Sequence, residues 1–71
     1  MKRYYVESSA LKTLGYDEKR KILEVEFREE GAVWQYLNVS KADYKRLLQA
    51  ESKGNYFVTR IKGKHAEQRI G

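Results

Sequence analysis

The side chains best suited to recognition in this sequence are Trp34 and Tyr36, separated by Gln35. Alternation along an extended strand puts both rings on one face, and rings on an open sheet can stack unpaired bases at roughly 1–3 kcal/mol each. A second group is cationic. Lys53, Arg60, Lys62 and Lys64, joined by Lys45 and Arg46, can form a phosphate-binding surface. On a helix Arg60 and Lys64 align one turn apart, and Lys53-Gly54-Asn55 offers backbone N–H groups at a helix start. Such contacts hold a polyanion without reading its sequence. Tyr16, in Gly15-Tyr16-Asp17, is a third ring that could stack a base. Each feature also has a plainer use. The rings can be core, the cations a solvated helix face, and Tyr16 a residue packed at a sheet edge while Asp17 satisfies turn backbone.

No pattern points to catalysis or metal binding. Ser8 and Ser9 have no adjacent base, since the one histidine stands at position 65, and their hydroxyls are better used on nearby backbone. His65 with Glu67 falls short of the three or four ligands a metal needs. Glu24 and Glu26 share a strand face with Arg28, but paired acids do acid–base work only in a concave, desolvated site. The expectation is a protein without enzyme activity or cofactor.

The elements must be built by 71 residues, read as one domain over 1–71, with 41% hydrophobic and 35% charged residues and no cysteine. That content supports a modest, aromatic-rich core without disulfide staples, and it fits a reducing cytoplasm. No apolar run approaches the roughly 18 residues of a membrane span, and the start turns polar at Glu7-Ser8-Ser9, against a signal peptide. The net charge of +5 is uneven. Residues 41–69 carry eight bases against three acids, whereas residues 17–36 carry four against six. A basic surface of this kind attracts phosphates or other anions, or serves only to keep the chain soluble.

Val6 to Leu14 reads as a first strand, followed by a turn over Gly15 to Arg20. Ile22 to Glu29 is the clearest strand, with Leu23, Val25 and Phe27 alternating against Glu24, Glu26 and Arg28. A turn at Glu30-Gly31 leads to a third strand over Ala32 to Asn38. A two-residue turn there sets Phe27 opposite Trp34 and Val25 opposite Tyr36, all on the buried face, with Val33, Gln35 and Leu37 outward. A one-residue bulge would reverse this. Ser40 caps a helix with Asp43 in its first turn and Tyr44, Leu47 and Leu48 toward the sheet, ending at Ser52-Lys53-Gly54. Residues 55–64 fit a helix through Phe57 and Ile61 and also alternate like a strand, and a helix ending near Gly63 is favoured. The expected fold is α+β: a three-stranded antiparallel β-meander packed against one helix, followed by a second short C-terminal helix.

The chain resembles the KTSC domain, a family found at the C-terminus of some lysyl-tRNA synthetases and as single-domain bacterial and phage proteins. The residues that carry the likeness are Val6-x-Ser8-Ser9-x-Leu11-x-x-Leu14-Gly15-Tyr16-Asp17, then Leu23-x-Val25-x-Phe27, Gly31 and Trp34-Gln35-Tyr36. Tyr44, Leu47, Leu48 and Ala50 continue it, and Ser52-x-Gly54-x-Tyr56-Phe57 with Ile61 closes it near His65. The chain departs from the pattern where Trp34 replaces a tyrosine, Ser40 a proline and Val58 an asparagine, and the loop before Gly31 is one residue longer. The resemblance implies a small α+β domain, and its attachment to a tRNA synthetase associates it with RNA. The leading functional expectation is therefore binding of RNA or single-stranded DNA through Tyr16, Trp34, Tyr36, Arg46, Lys53, Arg60, Lys62 and Lys64. The alternative is a protein–protein interaction module. The sequence leaves the oligomeric state open.

Overall fold

The computed structural model describes residues 1–71. The class is α+β, as expected, but the sheet has five strands rather than three. They are β1 (Arg3–Tyr5), β2 (Leu11–Asp17), β3 (Ile22–Phe27), β4 (Val33–Tyr36) and β5 (Glu67–Arg69), antiparallel and adjacent in chain order. Two helices, α1 (Lys41–Gln49) and α2 (Lys53–Arg60), lie between β4 and β5 in sequence and cover one face of the sheet. No helix is long and apolar enough to cross a membrane.

The first expected strand is displaced. Residues Gly15, Tyr16 and Asp17 belong to β2 rather than to a turn, and the turn runs over Glu18 to Lys21. Asp17 closes it, its carboxylate accepting from the N–H groups of Lys19 and Arg20 at 3.0 and 3.1 Å. A register shift between Leu11 and Thr13 lets Leu11 join the core while Thr13 and Gly15 face the other way. The β3–β4 hairpin also differs from the two-residue turn. Phe27 and Ala32 close a longer loop, and Val25 stands opposite Trp34 with Leu23 opposite Tyr36. This is a slip of two residues, so the faces are kept and Tyr36 is buried as expected. β4 is not an edge strand. β5 pairs with it, and Val33 is buried rather than part of an outward apolar strip.

Both helices begin on serine. Ser40 Oγ accepts from Asp43 N–H at 3.1 Å, and Ser52 Oγ accepts from Asn55 N–H at 3.3 Å. Ser52-Lys53-Gly54 therefore starts α2 instead of ending α1. The ambiguous tail is helical to Arg60, and Gly63 sits in the subsequent turn at φ +81°, where a left-handed backbone favours glycine. The core between sheet and helices comprises Leu11, Leu14, Leu23, Val25, Tyr36, Val39, Leu47, Phe57 and Ile61. Phe57 binds the layers, edge-on to Tyr36 at 5.0 Å and to Phe27 at 5.5 Å. Leu47 is fully buried, whereas Leu48, expected beside it on the sheet, is exposed.

The uncovered face is polar and ordered. One row crosses all five strands through Arg3, Gly15, Glu24, Gln35 and Gln68, which are successive cross-strand partners. The Arg3 guanidinium pairs with Glu24, and Gln35 Nε2 donates to the other Glu24 oxygen at 2.9 Å. Gln68 donates to Gln35 at 2.8 Å. In the next row Thr13 accepts from Arg3 at 3.1 Å and donates to Glu26 at 2.9 Å. Arg3 can cross β2 because residue 15 has no side chain. A Cβ there would lie 2.6 Å from the Lys2 carbonyl oxygen and 3.0 Å from Arg3 Cγ.

Two substitutions test these contacts. Leu47→Ala is expected to destabilise the fold by roughly 2–5 kcal/mol in urea unfolding, and a change within error would contradict the buried face of α1. Gly15→Ala is expected to cost roughly 1–3 kcal/mol, because the methyl group meets backbone that cannot yield without moving β1. Wild-type stability in that variant would contradict the close crossing.

Candidate binding grooves on the helical face

The eight residues expected to form one nucleic-acid surface are divided among several places. Tyr16 lies at the β1–β2 end of the helical face, in a groove shared with α1. Trp34, Tyr36 and Lys62 line a separate cleft at the β4–β5 end. Arg46, on α1, is ion-paired with Asp43 at 3.1 Å. Lys53 opens α2, half-buried, with Nζ 3.4 Å from the Ala50 carbonyl oxygen. Arg60 closes α2, its guanidinium 5.9 Å from the Tyr56 ring centroid. Lys64 lies exposed in the turn beyond. The C-terminal cations thus line no common groove.

The groove around Tyr16 has a volume of 690 Å³. Its wall is aromatic: Tyr16 and Tyr44 stack with centroids 4.7 Å apart and planes 13° from parallel. Tyr16 is locked there, since its hydroxyl donates to the Val39 carbonyl oxygen at 2.6 Å. Tyr4, from β1, is the exposed ring, 59% accessible, with Lys2 Nζ 5.9 Å from its centroid. Four lysines line the groove: Lys2, Lys19, Lys41 and Lys45. The two acids present are engaged, Asp17 in its turn and Glu18 with Lys41 at 2.8 Å. That contact lowers the Glu18 pKa and raises that of Lys41, so both stay charged.

Of these groove residues the sequence alone points to Tyr16 and, beside Arg46, to Lys45. Tyr4 and Lys2 escape it because residues 1–5 look like a flank before the first strand. The signal for them is the basic and aromatic run Lys2-Arg3-Tyr4-Tyr5.

The cleft at the other end has a volume of 420 Å³ and an aromatic lining of Trp34, Tyr36 and Phe27. Trp34 is half-buried, Tyr36 almost fully so. The remaining features considered for chemistry have structural roles. Ser8 Oγ accepts from the N–H groups of Ala10 and Leu11, both at 3.2 Å. His65 Nδ1 lies 2.9 Å from the Leu37 carbonyl oxygen, tying the α2–β5 connection to the end of β4. Glu24 and Glu26 belong to the polar rows of the uncovered face.

Residues 7–65 match the family model of the KTSC domain. An uncharacterized protein from Stutzerimonas stutzeri (strain A1501) is 43% identical over 65 residues, which span 92% of this chain and 90% of the relative. The crystal structure of a KTSC domain protein from Yersinia pestis is similar with a TM-score of 0.94 at 40% identity, covering 99% of this chain and 97% of that one.

Burial raises the pKa of Tyr36, and the Glu67 carboxylate across on β5 adds to it. Burial also raises Tyr16, with Glu18 and Asp17 contributing, and raises Tyr44. A phenol whose folded pKa exceeds its unfolded value of about 10 keeps its proton while the unfolded chain loses one, so stability falls as pH rises above about 10 and is unaffected below. Alkaline titration followed by tyrosinate absorbance is expected to show these three phenols ionising late, with Tyr36→Phe removing the last step. A single common transition for all six tyrosines would contradict the assignment.

Proposed function

The chain belongs to the KTSC domain family, and from that premise we propose that it is a binding module rather than an enzyme, taking single-stranded RNA or DNA in the tyrosine–lysine groove. The observation that carries this reading is the convergence of Tyr4, Tyr16 and Tyr44 with four lysines on one concavity. A groove of positive charge tracks a phosphate backbone, and an exposed ring stacks its bases without demanding a sequence.

The roles divide by freedom of the side chain. Tyr4 is the stacking ring, because Tyr16 and Tyr44 already stack on each other. Lys2, Lys19 and Lys45 are the phosphate contacts, since none has an ion-pair partner, whereas Lys41 is held by Glu18. The stacked pair gives the groove a rigid apolar wall against which a base or ribose can lie. Arg46, Lys53, Arg60 and Lys64 add to the overall field that draws a polyanion in, from outside the groove.

The test is a titration of isotope-labelled protein with a short oligouridylate at low salt. Chemical-shift changes are expected at Lys2, Tyr4, Lys19, Tyr44 and Lys45. Tyr4→Ala should weaken binding by roughly five- to a hundredfold, the loss of one base–ring stack. Lys19→Glu with Lys45→Glu should weaken it further and flatten its salt dependence. No shift at low salt, or shifts confined to the far end of the sheet, would defeat the proposal.

A further inference from the structure

The cleft over Trp34 has the opposite electrostatic character and calls for a different ligand. Its rim carries Glu29 and Glu30 from the β3–β4 loop and Glu67 from β5, against one cation, Lys62. None of the three glutamates has an ion-pair partner, because the ion pairs of the molecule join Arg3 to Glu24, Arg20 to Asp17, Lys41 to Glu18 and Arg46 to Asp43. The molecule as a whole is strongly basic at +5, so a locally anionic concavity stands against its general field. The aromatic lining includes the one tryptophan, and an indole is the side-chain ring that attracts cations most strongly.

The cation nearest in register does not fill this place. Arg69 stands opposite Trp34 across the β4–β5 ladder, yet its Nε donates to the Gly71 carbonyl oxygen at 2.9 Å. The cation–ring contacts of the structure are at Tyr4 and Tyr56, not at Trp34. We propose that the Trp34 cleft receives an arginine side chain from an extended segment of a protein partner. The planar guanidinium can lie against the indole while its N–H groups reach the carboxylates on either side, a geometry that an ammonium matches less well. The extended backbone is argued from β5. It is the outer strand of the sheet, so its outward N–H and C=O groups are free to pair with another strand, and Glu67 on that strand borders the cleft.

Trp34 reports its own occupancy by fluorescence, which makes the experiment direct. The folded wild-type protein is titrated, without nucleic acid, with a short uncharged-ended peptide of β-forming residues bearing one arginine. The matched peptide with citrulline in that position is the control. Saturable change in Trp34 emission with the arginine peptide, and at least about tenfold weaker response to citrulline, is expected. Glu67→Gln with Glu30→Gln, checked for wild-type unfolding behaviour, should weaken the arginine peptide by roughly three- to tenfold. Tyr4→Ala should leave it unchanged, which keeps this result independent of the nucleic-acid reading. Equal response to arginine and citrulline, or no saturable response, would overturn the proposal. Equal affinity for free arginine amide would overturn its assignment to a protein segment.

Discussion

A carboxylate placed at the centre of the sheet organises the molecule. Glu24 lies on the middle strand, facing away from the helices, and is only 5% exposed. A buried charge is tolerated where it is paired and its remaining lone pairs are bonded. Here one oxygen takes the Arg3 guanidinium and the other the Gln35 amide. Arg3 belongs to the outermost strand on one side, and Gln35 passes the chain of bonds to Gln68 on the outermost strand of the other. The short strands β1 and β5 have exposed residues throughout, so they contribute little to the hydrophobic core. Their backbone pairing is supplemented by this side-chain row. The need for Arg3 to pass over β2 in turn fixes glycine at position 15, where a methyl group would strike the Lys2 backbone.

That constraint also shapes the two concavities, because β1 and β5 supply distinctive residues of each. Tyr4 alternates with Arg3 along β1, so the residue that ties β1 to Glu24 also sets Tyr4 on the helical face. Glu67 neighbours Gln68 along β5 in the same way, and reaches the Trp34 cleft from the strand that Gln68 anchors. The core residues Leu23, Val25 and Phe57, which line neither groove, belong to the packed layer between sheet and helices. One end is lined by lysine and the other by glutamate, so a basic domain carries two concavities of opposite charge.

The parts of this arrangement legible in the sequence are those governed by hydrophobic period and capping. Leu23, Val25 and Phe27 identify β3, and the serine at position 40 identifies the start of α1. Tyr36 falls on the buried face in the expected hairpin register and in the observed one two residues away, because an even slip preserves sidedness. The flanking strands are not legible. Arg3–Tyr5 and Glu67–Arg69 are three residues each and lack an apolar face, and what holds them includes polar contacts with residues far away in the chain. Gly15-Tyr16 resembles turn chemistry, yet its glycine serves a side-chain crossing within a strand. Ser52-Lys53-Gly54 carries both a helix-ending and a helix-starting signal, and the second prevails because the Ser52 hydroxyl caps α2.

The charge map cannot be read from the sequence for a related reason. Along the chain, the C-terminal third holds the excess of bases, and it is natural to gather them into one surface. In space α2 carries Lys53 and Arg60 at opposite ends, about 10 Å apart along the axis. Lys62 comes after Ile61 and borders the acidic cleft, because Ile61 must enter the core and its neighbour is carried to the rim. Meanwhile the lysines that do converge come from the N-terminus, the β2–β3 turn and the exposed side of α1, segments far apart in the chain. Antiparallel pairing brings these distant segments to one end of the sheet, so the electrostatics of the surface obey the topology and not the linear distribution of charge.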